Sequence, residues 1–137
     1  MIHVLFPLVV AAAGSAAQPK VPEPFRGVWD ASAAACAGAH SNLRIRIGDT
    51  SIAYWESDGL ATAVSLVGTD EMRVTWAMSG EGERWTSQTR FVIASSADRM
   101  FAESLPQGGQ EFIPVAWFYE RCPDGTPMGW GGGGRTQ

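Results

Sequence analysis

The sequence predicts an all-β domain: an antiparallel up-and-down meander of about eight strands closed into a barrel. Three observations predict it. Apolar residues recur at every second position, and helical periodicity is almost absent. Turn signals interrupt the chain at short, regular intervals, as in "GDT", "SDG", "GTD", "SGEG", "SSAD" and "PQGGQ". A meander of this many short strands removes its exposed edges by closing on itself; an open sandwich is the second choice.

The chain opens on "MIHVLFPLVVAAAGSAAQPK". Val4 to Ala13 is an apolar run with the length of a signal-peptide core, too short to span a bilayer. Ser15 and Ala17 put small side chains three and one residues before a cut at Gln18. Only His3 and the amino terminus supply charge before the run. Residues 1–17 are therefore expected to be a signal peptide and 18–24 a linker, with no Cys after the cut to carry a lipid anchor. The expected localisation is periplasmic or secreted, with no membrane span. The chain's two cysteines, Cys36 and Cys122, agree: an even count in an exported chain favours a disulfide. Closing so long a loop contributes about 4 kcal/mol in the chain-entropy treatment.

The barrel is expected over residues 25–122, with strands at about 25–32, 42–48, 51–57, 60–67, 71–79, 84–94, 99–105 and 111–122. "NLRIRI" sets Leu43, Ile45 and Ile47 on one face and Asn42, Arg44 and Arg46 on the other. "EMRVTWAM" sets Met72, Val74, Trp76 and Met78 inward. Only "SAAACAGA" looks briefly helical. The segment 123–137, "PDGTPMGWGGGGRTQ", is rich in Gly and Pro and reads as a flexible tail that includes Trp130.

Composition narrows the chemistry. The net charge is −4, which gives no electrostatic case for nucleic acid or anionic membranes. Lys20 is the only lysine. His40 is the only histidine after the expected cut, and it lies in a small-residue loop that reads as surface. That argues against a His-based triad and a multi-His metal site, so no metal and no cofactor are expected. No P-loop, dinucleotide fingerprint or Cys-x-x-Cys pair is present.

Two stretches carry resemblances. "FRGVWD" places Phe25, Gly27 and Trp29 in a Phe-x-Gly-x-Trp pattern that resembles the opening of lipocalin-like (calycin) barrels. The resemblance implies that Trp29 packs under a basic residue from the end of the barrel, here Arg121 in "YERC", with both residues structural. "SGEGERW" is similar to the Ser-Gly-x-Gly-x-basic-aromatic signature of periplasmic C-type lysozyme inhibitors, another small eight-stranded barrel family. Ser79, Gly80, Gly82, Arg84 and Trp85 match; Glu81 and Glu83 depart from the small residues usual there, and the family's Trp-rich strand ending in Lys-Gly is absent. The whole chain also resembles small exported proteins of alphaproteobacteria that share the Phe-x-Gly-x-Trp start, a Glu-Ser-x-Gly turn and a Ser-Gly-Glu-Gly-Glu turn, which implies no activity.

A meander alternates its turns between two ends, so Glu56, Asp58, Glu81, Glu83 and Glu111 are expected together at one of them. Paired carboxylates serve glycosidases, and oxygen clusters suit calcium. Here no nucleophile–base pair accompanies them, and acids in turns are ordinarily solvated. "AYWES" and "AWFYE" carry aromatics on both strand faces, so some must be exposed, at a cavity mouth or a partner surface. The candidate binding residues are Trp55, Glu56, Asp58, Glu81, Glu83 and Trp117. The expectation is an exported, non-enzymatic lipocalin-like barrel that binds a small apolar ligand or an exported protein partner. The alternative is a periplasmic inhibitor of a lysozyme-type hydrolase, presenting Ser79 to Glu83 as its recognition loop. A carboxylate-based hydrolase is a third reading.

Overall fold

The computed structural model describes residues 17–108 and 112–129. A one-turn 3-10 helix (Glu23–Phe25) leads into β1 (Gly27–Asp30) and a short helix, α1 (Ala33–Ala37). Then come β2 (Ile45–Ile47), β3 (Ser51–Ala53), β4 (Asp58–Val67), β5 (Glu71–Gly80), β6 (Glu83–Ile93), β7 (Arg99–Leu105) and β8 (Ala116–Arg121). Each strand pairs antiparallel with its sequence neighbours, and β8 returns to β1, closing an up-and-down barrel. Residues 1–16 of the expected signal peptide and 130–137 of the expected tail lie outside the described residues, as does Glu111.

Alternation works where the pairing is longest. Met72, Val74, Trp76 and Met78 all turn inward on β5 and are buried. From β6, β7 and β8, the strands that follow it round the barrel, come Phe91, Ile93, Met100, Ala102 and Tyr119. Trp29, Phe25, Ile45, Ile47 and Ile52, from β1 to β3 and the turn before them, complete the same core. Side chains therefore occupy the barrel axis, with Trp29, Trp76, Phe25 and Phe91 among the largest fully buried.

Several strands are shorter than the sequence implies, each for a local reason. Pro22 caps and Pro24 lies within the 3-10 turn that takes up Phe25, so β1 starts only at Gly27. At its far end Ser32 accepts a hydrogen bond from the Ala35 N–H and starts α1. β3 ends at Ala53 because the Tyr54 N–H turns onto the Ser57 carbonyl at 2.8 Å. β8 begins at Ala116, beyond Pro114, which has no N–H to give a ladder.

The alternation expected through "NLRIRI" fails at its start. Leu43 is 44% exposed while Arg44 is fully buried. The Arg44 N–H closes a turn onto the Ser41 carbonyl, and regular pairing begins only at Ile45. Two segments expected to be loose are docked. In the linker, Val21 is fully buried and its N–H donates to the Asp49 carbonyl at 2.7 Å. In the tail, Thr126 and Met128 are buried, the Pro127 carbonyl accepts from Arg44, and the Gly129 carbonyl lies 2.6 Å from His40 Nδ1. Gly129 has φ 71, and a Cβ there would strike the Ala39 carbonyl, so only glycine fits. The Cys36–Cys122 disulfide ties α1 to the residue after β8.

The chain's two tyrosines, Tyr54 and Tyr119, sit at the core. Burial pushes the Tyr54 phenol up to about 12, partly offset by its hydrogen bond with Thr89. Burial also raises Tyr119, with Tyr54 and Asp30 adding to the effect. A raised folded pKa means stability intact below about pH 10, the unfolded phenol value, and lost progressively above it. Phenolate absorbance is therefore expected to appear only with alkaline unfolding. Tyrosinate titrating near pH 10 in protein with native circular dichroism would contradict this.

Candidate functional site

The hairpin joining β5 to β6 is built by a two-residue connection, Glu81 and Gly82, between the paired Gly80 and Glu83. Both connecting residues have positive φ, 50 and 78, the type I′ pattern that matches the twist of the flanking strands. Gly82 meets this without strain. Glu81 does not: a side chain at positive φ costs about 1 kcal/mol, and this tip carries an exposed carboxylate there instead of glycine or asparagine. Gly80 is required for another reason. A Cβ on it would sit 2.6 Å from the Glu56 carbonyl, so the hairpin base packs directly on the 54–57 turn.

That contact gathers most of the sequence-derived candidates at one end of the barrel. Glu56 and Trp55 occupy the turn beside Gly80; Trp55 is 46% exposed. Asp58 accepts a hydrogen bond from Ser79 Oγ at 2.9 Å. Glu81 stands at the tip and Glu83 beside it, both exposed. Trp117 is not part of this group: it is half-buried on β8 opposite Ala102 and packs against the core.

Below the tip lies a half-open groove of about 880 Å³. Two cross-strand rows shape it on the outward face of the sheet. The upper runs Ala53, Asp58, Ser79, Arg84 and the lower Ser51, Leu60, Ala77, Thr86. Small side chains leave the strand backbones of Ile52, Gly59 and Met78 accessible between them. A Cβ at Gly59 would meet the Met78 sulfur and push that side chain aside. Leu60, 58% exposed, stands in the lower row; Trp85, 43% exposed, pairs with Met78 between the rows; Arg46 and Arg84 also line the groove. Leu60 and Arg46 were not among the sequence candidates. Alternation alone gives an outward leucine no meaning, and only the cross-strand register reveals its small neighbours. Among the described residues no three acidic, His or Cys side chains converge as metal ligands would, and no helix is long and apolar enough to cross a membrane.

Comparison with protein-family models, curated proteins and solved structures finds no match to this chain.

Proposed function

We propose that the protein is an exported, non-enzymatic binding domain whose partner is another protein, engaged by the Ser79–Glu83 hairpin together with the outer groove beneath it. The observation that carries this reading is the juxtaposition of a strained, exposed acidic tip with an apolar groove on the outside of a barrel whose axis is filled with side chains. A small-ligand carrier would need the space inside. Strain retained at an exposed residue is characteristic of recognition surfaces, and Trp55, Trp85 and Leu60 supply the half-exposed apolar anchors that dominate protein interfaces. Export is supported by the disulfide and by the leader-like start of the chain.

The acidic members, Glu56, Glu81 and Glu83, complement a basic surface. With the similarity of "SGEGERW" to the lysozyme-inhibitor signature, this favours a basic exported hydrolase as partner. A basic C-type lysozyme is the direct probe. The wild-type protein is expected to bind and inhibit it. Glu81→Lys keeps the backbone requirement and reverses the charge, so it should weaken binding about tenfold or more while leaving the melting temperature within a degree or two. Glu81→Gly should weaken binding while raising stability by about 0.5–1 kcal/mol, because it relieves the positive φ. Absence of binding by the wild type removes the hydrolase reading. A large stability loss in Glu81→Lys would mean that the tip is a structural element and not a recognition loop.

A further inference from the structure

Barrel closure is incomplete along β4. Its pairing with β3 covers only Asp58 to Leu60, while β4 runs on to Val67 paired with β5 alone. Closure stops at Ala61, whose N–H donates to the Thr50 carbonyl at 2.8 Å and whose carbonyl accepts from Gln18 Nε2 at 2.6 Å. A register shift between Ala61 and Ala63 follows. Beyond it, no backbone bond reaches Thr62 to Val67 from the side away from β5 among the described residues. These six residues form an open strand edge about 20 Å long. Thr62, Ala63, Ser65, Leu66 and Val67 are exposed, with Leu66 at 57% and Val67 at 49%.

Exposed edges are ordinarily blunted by a charge, a proline or a cover. "TAVSLV" has no charge and no proline. The β3 register ends at Leu60, before the shift at Ala61/Ala63, and beyond the shift the edge keeps five consecutive register pairs with β5 from Ala63 to Val67.

We propose that this edge pairs antiparallel with the same edge of a second copy of the chain, giving a two-fold dimer with one sheet running through both barrels. The sequence is self-complementary in a single register centred on Ser65. Val64 then faces Leu66 of the second copy, Ala63 faces Val67, and Ser65 faces itself. Apolar residues meet apolar residues on both faces, two hydroxyls meet at the axis, and no like charges oppose one another. Because the register has an even residue sum, the core-side face of one ribbon continues into the core-side face of the other, and Leu66 gains a neighbour that its own barrel lacks. A foreign strand finds no charge on this edge to select it, whereas a second copy matches it from Ala63 to Val67.

Sedimentation velocity on protein with its Cys36–Cys122 bond intact, over roughly 1–500 μM, should show a concentration-dependent dimer. Ser65→Lys places two ammonium groups face to face and is expected to weaken dimerisation by about tenfold or more without lowering the melting temperature of the monomer. Ser65→Cys introduces the single free thiol and should oxidise to a covalent dimer; Thr86→Cys, on the outer groove, should remain monomeric under the same conditions. A protein that stays monomeric throughout the range overturns the proposal, even if it captures an added extended peptide. Equal cross-linking at positions 65 and 86, or undiminished association of Ser65→Lys, overturns the β4 register. The dimer does not depend on the function proposed above, because the hairpin tip and the open edge lie at opposite ends of β5 and can be tested separately.

Discussion

Asp30→Ala is expected to lower the unfolding free energy by about 3–5 kcal/mol, the cost of stranding a buried charge. Asp30 and Arg44 are both fully buried, with Arg44 Nε donating to Asp30 Oδ2 at 3.0 Å. The other carboxylate oxygen accepts from the Ala31 N–H and from Ser41 Oγ, each at 2.7 Å. The remaining guanidinium nitrogens donate to the Ala35 and Gly38 carbonyls at the end of α1, more weakly to Cys36, and to Pro127 at 2.6 Å. One cation thus gathers α1, β1, the chain before β2 and the segment after β8. Burial of such a pair is weak grounds for net stability, but loss of one partner leaves the other uncompensated in a low-dielectric site. The double variant Asp30→Ala/Arg44→Met should recover part of the loss and no more, since the α1 and Pro127 carbonyls would then lack their donor. Urea unfolding of the wild type and the two variants measures this. A single-variant loss below about 1 kcal/mol would show the site to be wet and the pair dispensable.

Arg44 also marks where the sequence stops being readable. Period-two alternation identifies β5 completely, because β5 is flanked by long strands on both sides and its inward residues must be apolar. It misplaces Arg44, because that residue precedes its strand and its burial depends on carbonyls from residues 35, 38 and 127. No local pattern encodes such a convergence. The same holds for residues 18–24 and 123–129: Gly and Pro remove regular structure, but they do not prevent docking, since Val21 joins the barrel core and Met128 is buried. At the candidate site, the hairpin was legible from its two glycines and the gathering of Glu56, Asp58, Glu81 and Glu83 from the parity of the turns. The positive φ at Glu81 and the groove around Leu60 were not. The first depends on which two of four residues span the turn, and the second on which small side chains stand opposite across three other strands.

The other large effect is expected at Trp29. Its ring is fully buried, its Nε1–H donates to the Phe25 carbonyl at 3.0 Å, and the Arg121 guanidinium lies 4.2 Å above its centroid. Trp29 and Arg121 face each other in register where β1 meets β8, the seam that closes the barrel. Arg121 spends its donors on the carbonyls of Ala97, Arg26 and Pro24, so one side chain spans the β6–β7 turn and the chain entering β1. Gly27 makes room for it: φ there is 127, and a Cβ would lie 2.8 Å from Arg121 Nη1. Trp29→Ala should therefore cost about 3–5 kcal/mol through the cavity and the lost ring contacts. The cation–π part of this is about 0.5–2 kcal/mol. Arg121→Lys separates the contributions. It keeps a positive charge over the ring but cannot supply the planar fork that reaches three carbonyls, so a clear loss in Arg121→Lys locates the stabilisation in the fork. Denaturant titration followed by far-ultraviolet circular dichroism reads both variants. If Arg121→Lys is neutral while Trp29→Ala is severe, the ring alone closes the seam and the arginine is only a lid. If Trp29→Ala costs less than about 1 kcal/mol, the seam is held by the Cys36–Cys122 bond beside it, and the packing argument for this end of the barrel fails.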